Sequence, residues 1–229
     1  MIFHNLTGYD SHLIIKEIAS SPNWEGRVYV IPENKEKYIG FIKHIKDSAI
    51  SFRFIDSFRF LPTSLDKLSS YLIDHPIVDK EFQKDGYESE KIQLLKRKGV
   101  YPYDFTSSFE SLGITKLPPI ESFYSFLNEN NIDVVDYAHA QLVWNTFHIQ
   151  NLGQYSDLYL KTDILLLADV FENFRLNCML AYQLDAAHFY TTPGFTWDAM
   201  LKFTRIKLEL LRDIDMLLFV EKGKLYMFS

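Results

Sequence analysis

An uninterrupted helical pattern over residues 153–182 constrains the fold of this chain more than any other sequence feature. Its apolar residues recur at i, i+4, i+7, i+11 and i+14, and these are Leu160, Ile164, Leu167, Phe171 and Phe174. Because this spacing returns to one face of a helix of 3.6 residues per turn, the segment predicts one long helix. Leu166 and Val170 add a second apolar side. We therefore expect this helix to be packed on more than one face.

The stretch 27–56 has a different character, because β-branched and aromatic residues alternate there with polar ones. The turn-like segments PENKEK and KDS divide it into three parts. This pattern predicts three consecutive strands that pair antiparallel. A short amphipathic helix is predicted before them, over 11–19, with Leu13, Ile14 and Ile18 as its buried stripe and Pro22 at its end. Helix, strands and then helices indicate an α/β or α+β domain with mixed strand directions.

The other segments give weaker patterns. A helix is predicted within 61–73, capped by Thr63 or Ser64, and its buried face would be Leu65, Leu68 and Leu72. Residues 74–120 predict a long, partly ordered connection. Further predicted elements are helices over 121–130, 133–149, 188–203 and 212–223 and a short strand over 206–211.

Composition limits the function classes. A hydrophobic fraction of 47% argues against disorder, and a net charge of −6 does not favour a general nucleic-acid coat protein. It leaves room for a site that holds a few nucleotides with metal ions and local lysines. The single cysteine, Cys178, excludes a disulfide within the chain and predicts a small buried side chain. No apolar run reaches membrane-spanning length and no secretory signal is evident, so we expect an intracellular protein without a membrane partner, in a compartment that the sequence leaves unknown.

Two polar clusters could carry chemistry. The first is FHNLTGYDSHLI, which holds His4, Asn5, Tyr9, Asp10 and His12 within a few residues of the N-terminus.

The second cluster is YLKTD, on the long predicted helix. Tyr159 and Asp163 are four residues apart and therefore share a helix face. Asp169 falls about 240° further round the helix at 100° per residue. We therefore expect Asp169 to lie outside this site and to be solvated.

Carboxylates from distant segments, joined by an amide and a phenol, suit phosphodiester hydrolysis with two divalent metal ions. Carboxylates hold the ions, and a tyrosine beside them can orient the attacking water. The alternative is structural: Asp10 flanks a turn after Gly8, while Tyr159 and Asp163 form a pair on the helix surface. The residues alone favour this structural alternative, because structural carboxylates also have polar partners.

Four ordered motifs resemble those of family B DNA polymerases. HNLTGYD is similar to their second exonuclease motif and YLKTD to the third, Tyr-x-x-x-Asp. DSFRFLP (56–62) resembles the Ser-Leu-x-x-hydrophobic strand-binding motif of the protein-primed branch, and KGVYPY (98–103) resembles its Lys-x-x-hydrophobic motif. The resemblance covers essentially the whole chain. It implies a ribonuclease-H-like 3′–5′ exonuclease domain, with a mixed sheet flanked by helices, in a DNA-directed DNA polymerase of DNA replication.

The resemblance also implies roles for individual residues. Asp10 and Asp163 would bind metal, Mg²⁺ or Mn²⁺, and Tyr159 would orient the hydrolytic water. Lys98 would lie near the scissile phosphate, supported by Tyr103, although a solvated basic run is the structural alternative and Lys96 is a rival.

Single-stranded DNA would contact a further set of residues, namely His4, Asn5, Tyr9, Ser57, Phe58 and Leu61. Ordinary strand-end packing is the alternative for Ser57 and Phe58, and TSLDKL (63–68) is a competing position for the same motif. Phe195 and Trp197 are interpreted as core residues.

Departures from the family pattern limit what the resemblance implies. The first exonuclease motif, Asp-x-Glu, is expected upstream of Asn5, and the palm and fingers motifs are not found in the 229 residues. We therefore expect an N-terminally truncated exonuclease-like domain over 1–182 and a helical segment toward the polymerase palm over 183–229.

These departures leave three hypotheses open. The chain is part of a polymerase with a proofreading site, an inactive remnant that binds single-stranded DNA or a primer protein, or a free-standing nuclease that uses other carboxylates. The chain alone is expected to be nearly inactive. Deoxynucleoside triphosphates would be substrates only of a full-length polymerase, and a terminal (primer) protein would be a further partner.

Overall fold

The computed structural model, which describes residues 1–7, 10–21, 25–127, 129–209 and 211–226, contains a mixed four-stranded sheet. The strands are Ile2–Phe3 (β1), Val28–Pro32 (β2), Tyr38–His44 (β3) and Ser51–Asp56 (β4). Their order is β1-β4-β3-β2, with β2, β3 and β4 antiparallel and β1 parallel to β4. The three predicted antiparallel strands are confirmed, as is the mixed sheet.

Helices flank the sheet. Within the described residues they are Asp10–Ser20 (α1), Leu65–Ser70 (α2), Pro76–Lys84 (α3), Ser89–Ile92 (α4), Val134–Thr146 (α5), Leu152–Tyr182 (α6), Thr192–Thr204 (α7) and Ile214–Tyr226 (α8). The predicted helix over 153–182 is confirmed as α6. Ser64 rather than Thr63 caps α2, since its side chain accepts a hydrogen bond from the Lys67 amide.

Neighbouring residues of β4 face opposite layers, as the alternation of a strand requires. Phe54 packs with Leu6, Phe41 and apolar side chains of α1. Ile55 packs on the other face in a cluster that includes Phe171 of α6 and residues of α7. Helices therefore cover both faces of the sheet, in agreement with the expected ribonuclease-H-like exonuclease fold.

The packing of α6 differs in part from the predicted stripe. Leu166, Val170 and Phe171 are buried, whereas Leu160 and Ile164 are each 57% exposed. Helices α2 and α3 contact α6 from other sides, so the face of Leu160 and Ile164 is left uncovered. The prediction of more than one packed face is confirmed, but the main stripe was assigned to the wrong residues at its N-terminal end.

Residues 74–120 are more ordered than predicted. Helices α3 and α4 and a 3-10 turn over Gln93–Leu95 occupy their first half. Val78, Phe82, Ile92 and Leu95 are buried in a cluster with Leu166 of α6. Helix α3 does carry a local signal, since Pro76 begins it and Val78 and Phe82 lie four residues apart on its buried face, whereas α4 is too short to show a period.

Asp169 is buried rather than solvated. Its side chain is 3% exposed, and its carboxylate accepts hydrogen bonds from the amides of Ile77 at 2.8 Å and Val78 at 3.0 Å. These are free donors in the first turn of α3, where a negative charge is favourable. Asp169 lies on a different face of α6 from Tyr159 and Asp163, as the helical angle predicted. Helix α3 packs against that face, and this contact was not predicted.

Other local predictions need correction. The described residues of 120–130 form a 3-10 turn over Ile120–Phe123 and an isolated bridge between Ser125 and Asn130, and they do not form the predicted helix. The described residues of 206–211 form no strand. Leu13 and Trp197, both predicted to be buried, are 51% and 54% exposed.

Two predictions of burial are confirmed. Phe195 and Cys178 are buried, as predicted. No helix in the described ranges has the length and apolar character that a membrane crossing requires. Pro22, predicted to end α1, lies outside the described residues.

Candidate exonuclease and single-strand site

Four predicted site residues meet beside α6. Tyr159 and Asp163 point from the same helix face, and the segment 98–103 passes next to them. The Lys98 ammonium group donates to Asp163 Oδ2 at 2.9 Å and lies 5.7 Å from the centre of the Tyr159 ring. Tyr103 and Tyr159 share a hydrogen bond between their hydroxyl groups at 2.8 Å. We call Lys98, Tyr103, Tyr159 and Asp163 the α6 cluster.

Aromatic packing fixes the segment 98–103 against the helix. Tyr101 stacks on Tyr159 with ring centres 5.2 Å apart. The Tyr155 hydroxyl donates to the Val100 carbonyl at 2.8 Å. Gly99 lies under the Tyr159 ring, where an added Cβ would be 3.5 Å from the ring carbon Cδ2. The α6 cluster is therefore held by backbone and ring contacts as well as by its own polar bonds.

Tyr159 is a neutral phenol in this setting. Burial is the main cause that raises its pKa, and the hydrogen bond with Tyr103 and the negative charge of Asp163 add to it. A hydroxyl that keeps its proton can both donate and accept hydrogen bonds. Tyr159 is therefore chemically suited to orient a water molecule.

Three consecutive basic residues pair with three different carboxylates. Lys96 pairs with Asp79 at 2.8 Å, Arg97 pairs with Asp136, and Lys98 pairs with Asp163. Lys96, the rival for the phosphate-side role, thus bonds a different carboxylate. This arrangement favours Lys98 for that role.

Asp163 has one carboxylate oxygen that is bonded and one that is free. Oδ2 accepts from Lys98, whereas Oδ1 is buried and has no hydrogen-bond partner among the described residues. Such an oxygen is a suitable ligand for a hard divalent cation. However, no three His, Cys, Asp or Glu side chains in the described ranges are arranged to hold a metal ion. Asp10, the first residue of α1, is exposed, and no described bond joins it to the α6 cluster. Asp163 fits a metal ligand, but these residues do not make a complete two-metal site.

The segment around His4 contacts the turn that follows β4. The His4 ring bonds the Ser57 hydroxyl through Nδ1 at 2.9 Å and the Thr63 carbonyl through Nε2 at 2.8 Å. Ser57 is fully buried and donates its hydroxyl to the Phe3 carbonyl at 2.7 Å. The Phe58 ring packs edge-on against His4 with centres 5.4 Å apart. The structure therefore brings the segment that resembles the second exonuclease motif next to the segment that resembles the strand-binding motif.

Asp56, which was not among the predicted site residues, joins the same two segments. Asp56, at the end of β4, is fully buried, and its carboxylate accepts from the amides of Asn5, Thr7 and Phe58. We call the segments His4–Thr7 and Asp56–Arg59 with these bonds the Asp56 junction. A local signal was present, since Asp at the end of an apolar strand commonly bonds the amide two residues on.

The remaining predicted residues surround this junction. Asn5 is exposed and has a left-handed backbone with φ of 66°, a conformation that Asn tolerates better than most residues. Phe58 is 36% exposed. Leu61 is partly buried against the cluster that contains Phe171. Tyr9 lies outside the described residues.

The two parts of the candidate site are connected through packed elements. Thr63, whose carbonyl accepts from His4, lies just before α2, and α2 contacts α6. Phe60, next to the turn after β4, packs against Phe171 and Phe174 of α6. Their relative position is therefore set by the fold.

Comparison with known families gives a match that covers nearly the whole chain. A family model for type B DNA polymerases of the organellar and viral kind matches residues 1–228. The chain belongs to this family. Family members are DNA polymerases, which are nucleotidyltransferases of DNA replication. No curated protein and no solved structure gives a significant match to the chain.

Proposed function

We propose that this chain of the type B DNA polymerase family carries part of a 3′–5′ proofreading exonuclease site of the protein-primed kind and binds the 3′ end of single-stranded DNA. One observation supports the proposal most: Lys98, Tyr103, Tyr159 and Asp163 come from two distant motifs and bond each other beside α6. Structural helix-surface pairs do not require four such residues to meet.

The proposed chemistry follows from the bonds of the α6 cluster. Lys98 would lie by the scissile phosphate and offset the charge that develops in the transition state. Tyr159 would hold the attacking water through its neutral hydroxyl, and Tyr103 would position that hydroxyl. Asp10 and Asp163 would hold Mg²⁺ or Mn²⁺, which supplies water activation and stabilises the leaving oxygen when bound.

The proposed path of the strand runs over the Asp56 junction. Asn5 and Phe58 present exposed surface there, and His4 and Leu61 lie beside them. Aromatic rings and amides of this kind bind single strands with little sequence preference. Ser57 uses its hydroxyl within the protein, so it would act on the strand through His4. The proposed ligand is the primer terminus, and a primer protein is a further proposed partner. Deoxynucleoside triphosphates would bind as substrates only in a full-length polymerase.

The alternative is a catalytically inactive chain that still binds single-stranded DNA or a primer protein. The incomplete carboxylate set of the described residues favours low activity of this chain by itself. Binding and cleavage must therefore be tested separately.

The binding experiment uses the full chain and a 5′-fluorescein oligothymidylate, with anisotropy measured with and without Mn²⁺. We expect Mn²⁺ to strengthen binding, and Asp163→Ala to remove that gain. Asp157→Ala is the matched control, because Asp157 is an exposed carboxylate on the same helix. A folded chain that does not bind the oligonucleotide, or a Mn²⁺ effect that Asp163→Ala leaves intact, would contradict the proposal.

The cleavage experiment follows degradation of the same oligonucleotide on a denaturing gel in Mg²⁺ or Mn²⁺. We expect little or no shortening by the chain alone. Clear metal-dependent shortening that Asp163→Ala abolishes would support the nuclease and overturn the proposed inactivity.

A further inference from the structure

The buried carboxylate of Asp56 holds two distant segments of the chain. Its Oδ1 atom accepts from the Asn5 amide at 2.8 Å and the Phe58 amide at 3.0 Å, and its Oδ2 atom accepts from the Thr7 amide at 3.0 Å. Asp56 is 0% exposed, and no Lys or Arg of the described residues pairs with it. Backbone donors therefore provide the compensation that a buried charge requires.

This geometry requires a carboxylate. Both oxygens of Asp56 accept hydrogen bonds. All three donors are backbone N–H groups, which can donate a hydrogen bond but cannot accept one. An Asn side chain has almost the same shape, but it offers one acceptor oxygen and one NH₂ donor. In Asp56→Asn the NH₂ group would face at least one amide N–H, which would be left without its partner.

The three donors lie within the proposed strand path. Asn5 and Phe58 are themselves predicted contacts of single-stranded DNA, and Thr7 is two residues from Asn5. Because the Asn5 backbone is left-handed, the direction of its side chain depends on the bonds that keep its amide in place. By binding the backbone N–H groups of both residues, the Asp56 carboxylate sets the directions of the Asn5 side chain and of the Phe58 ring.

We propose that Asp56 is a positioning residue for single-strand binding, which it supports by fixing Asn5 and Phe58 relative to each other. This inference rests on the proposed function, since it requires the Asp56 junction to contact DNA. Asp56 itself is fully buried and would not touch the strand.

Asp169 provides a matched control. It is also a buried aspartate, 3% exposed, and each of its oxygens accepts from a backbone amide, that of Ile77 or that of Val78. Its donors belong to α3 and are not among the predicted DNA contacts. Asp169→Asn therefore reproduces the loss of a buried charge and of amide bonds without disturbing the Asp56 junction.

The test measures oligothymidylate binding by anisotropy for the full chain, Asp56→Asn and Asp169→Asn, at a temperature where circular dichroism shows each protein folded. Both variants should melt earlier than the parent chain. We expect Asp56→Asn to raise Kd about tenfold, the size that loss of a charged hydrogen bond predicts, and Asp169→Asn to change it less than about twofold. Equal effects of the two variants on Kd would overturn the inference.

A double-mutant cycle separates positioning from general loosening. Asn5→Gly removes the amide side chain but tolerates a positive φ. If Asp56 acts through Asn5, Asp56→Asn should weaken binding less in the Asn5→Gly background than in the parent, whereas full additivity would contradict the inference. The same cycle with Asp169→Asn should be additive.

Hydrogen exchange covers the case in which Asp56→Asn does not fold. In the unmodified chain the oligonucleotide should slow amide exchange of residues 1–7 and 56–63 together and leave 76–84 unchanged. Bound DNA that protects neither segment, or only one of them, would overturn the inference. If the unmodified chain does not bind the oligonucleotide at all, the proposed function fails with it, whereas binding that Asp56→Asn leaves unchanged refutes only the role of Asp56.

Discussion

The α6 cluster and the Asp56 junction are built in different ways. In the α6 cluster side chains bond side chains, as in Lys98 with Asp163 and Tyr103 with Tyr159. In the Asp56 junction one side chain bonds backbone amides from two segments. A cluster of the first kind can lose one bond and keep its backbone in place. In a junction of the second kind, a change of the central residue alters the backbone positions of both segments.

The supporting cores differ in the same direction. Leu166 lies in the large apolar cluster under α6, together with α3 and α5, whereas Leu6 lies in a small cluster with Phe41 and Phe54. Both leucines are almost fully buried. The α6 cluster is therefore supported by a larger apolar core than the Asp56 junction.

The largest expected effect tests this difference in support. Leu166→Ala should lower the free energy of unfolding by about 4 kcal/mol, and Leu6→Ala by about 2–3 kcal/mol, within the range for buried leucines. The loss should be smaller at Leu6 because a small cluster near the chain terminus can close part of the cavity. Urea unfolding followed by circular dichroism measures both, and a larger loss for Leu6→Ala would reverse the comparison.

A medium effect concerns the ion pair of the α6 cluster. The side chains of Lys98 and Asp163 are 31% and 18% exposed, so their pair is partly shielded from water. A double-mutant cycle of Lys98→Met and Asp163→Asn should give a coupling of about 1 kcal/mol in unfolding experiments.

The pair of Lys46 and Glu25 is the matched control, because its side chains are 60% and 62% exposed. Its coupling should be close to zero. Equal coupling in the two cycles would mean that the α6 cluster gives its ion pair no special environment.

The smallest effect depends on pH and concerns a pair outside both parts of the site. Arg175 bonds both oxygens of Asp185 and, by this hydrogen bonding, lowers the Asp185 pKa from its ordinary value of 3.8 to about 2. Because the folded-state pKa is the lower one, the stabilisation is complete above pH 3.8 and is lost as the pH falls toward 2. Asp185→Asn should therefore destabilise the chain at pH 6, and the difference from the parent should shrink on acidification below pH about 4.

Thermal melting between pH 6 and pH 3 measures that trend. A difference that stays constant over the whole range would show that Asp185 contributes through shape and not through charge. The contrast with Asp163 is structural, since Asp185 has both oxygens bonded and Asp163 has one free.

Local spacing was enough to predict the α6 cluster in part. The i, i+4 relation of Tyr159 and Asp163 fixes their common face, and the family resemblance supplied Lys98 and Tyr103. The predicted strands over 27–56 were also correct, because alternation is a local property. The long-range bonds of Asp56 and Asp169 could not be predicted in the same way, since partners such as the Asn5 and Ile77 amides lie far away in sequence and are backbone groups. Helix α3 was missed although Pro76 at its start and the i, i+4 spacing of Val78 and Phe82 are local signals of a helix.

The left-handed backbone of Asn5 affects how alanine scanning of this segment must be interpreted. Asn5→Ala would remove an amide group and also place an ordinary residue at φ of 66°, so it would shift the backbone equilibrium of the His4–Thr7 segment. The measured loss would combine a contact with a conformational preference. Asn5→Gly and Asn5→Asp change the side chain while keeping tolerance for this φ. These two substitutions, and not alanine, report what the Asn5 side chain itself contributes.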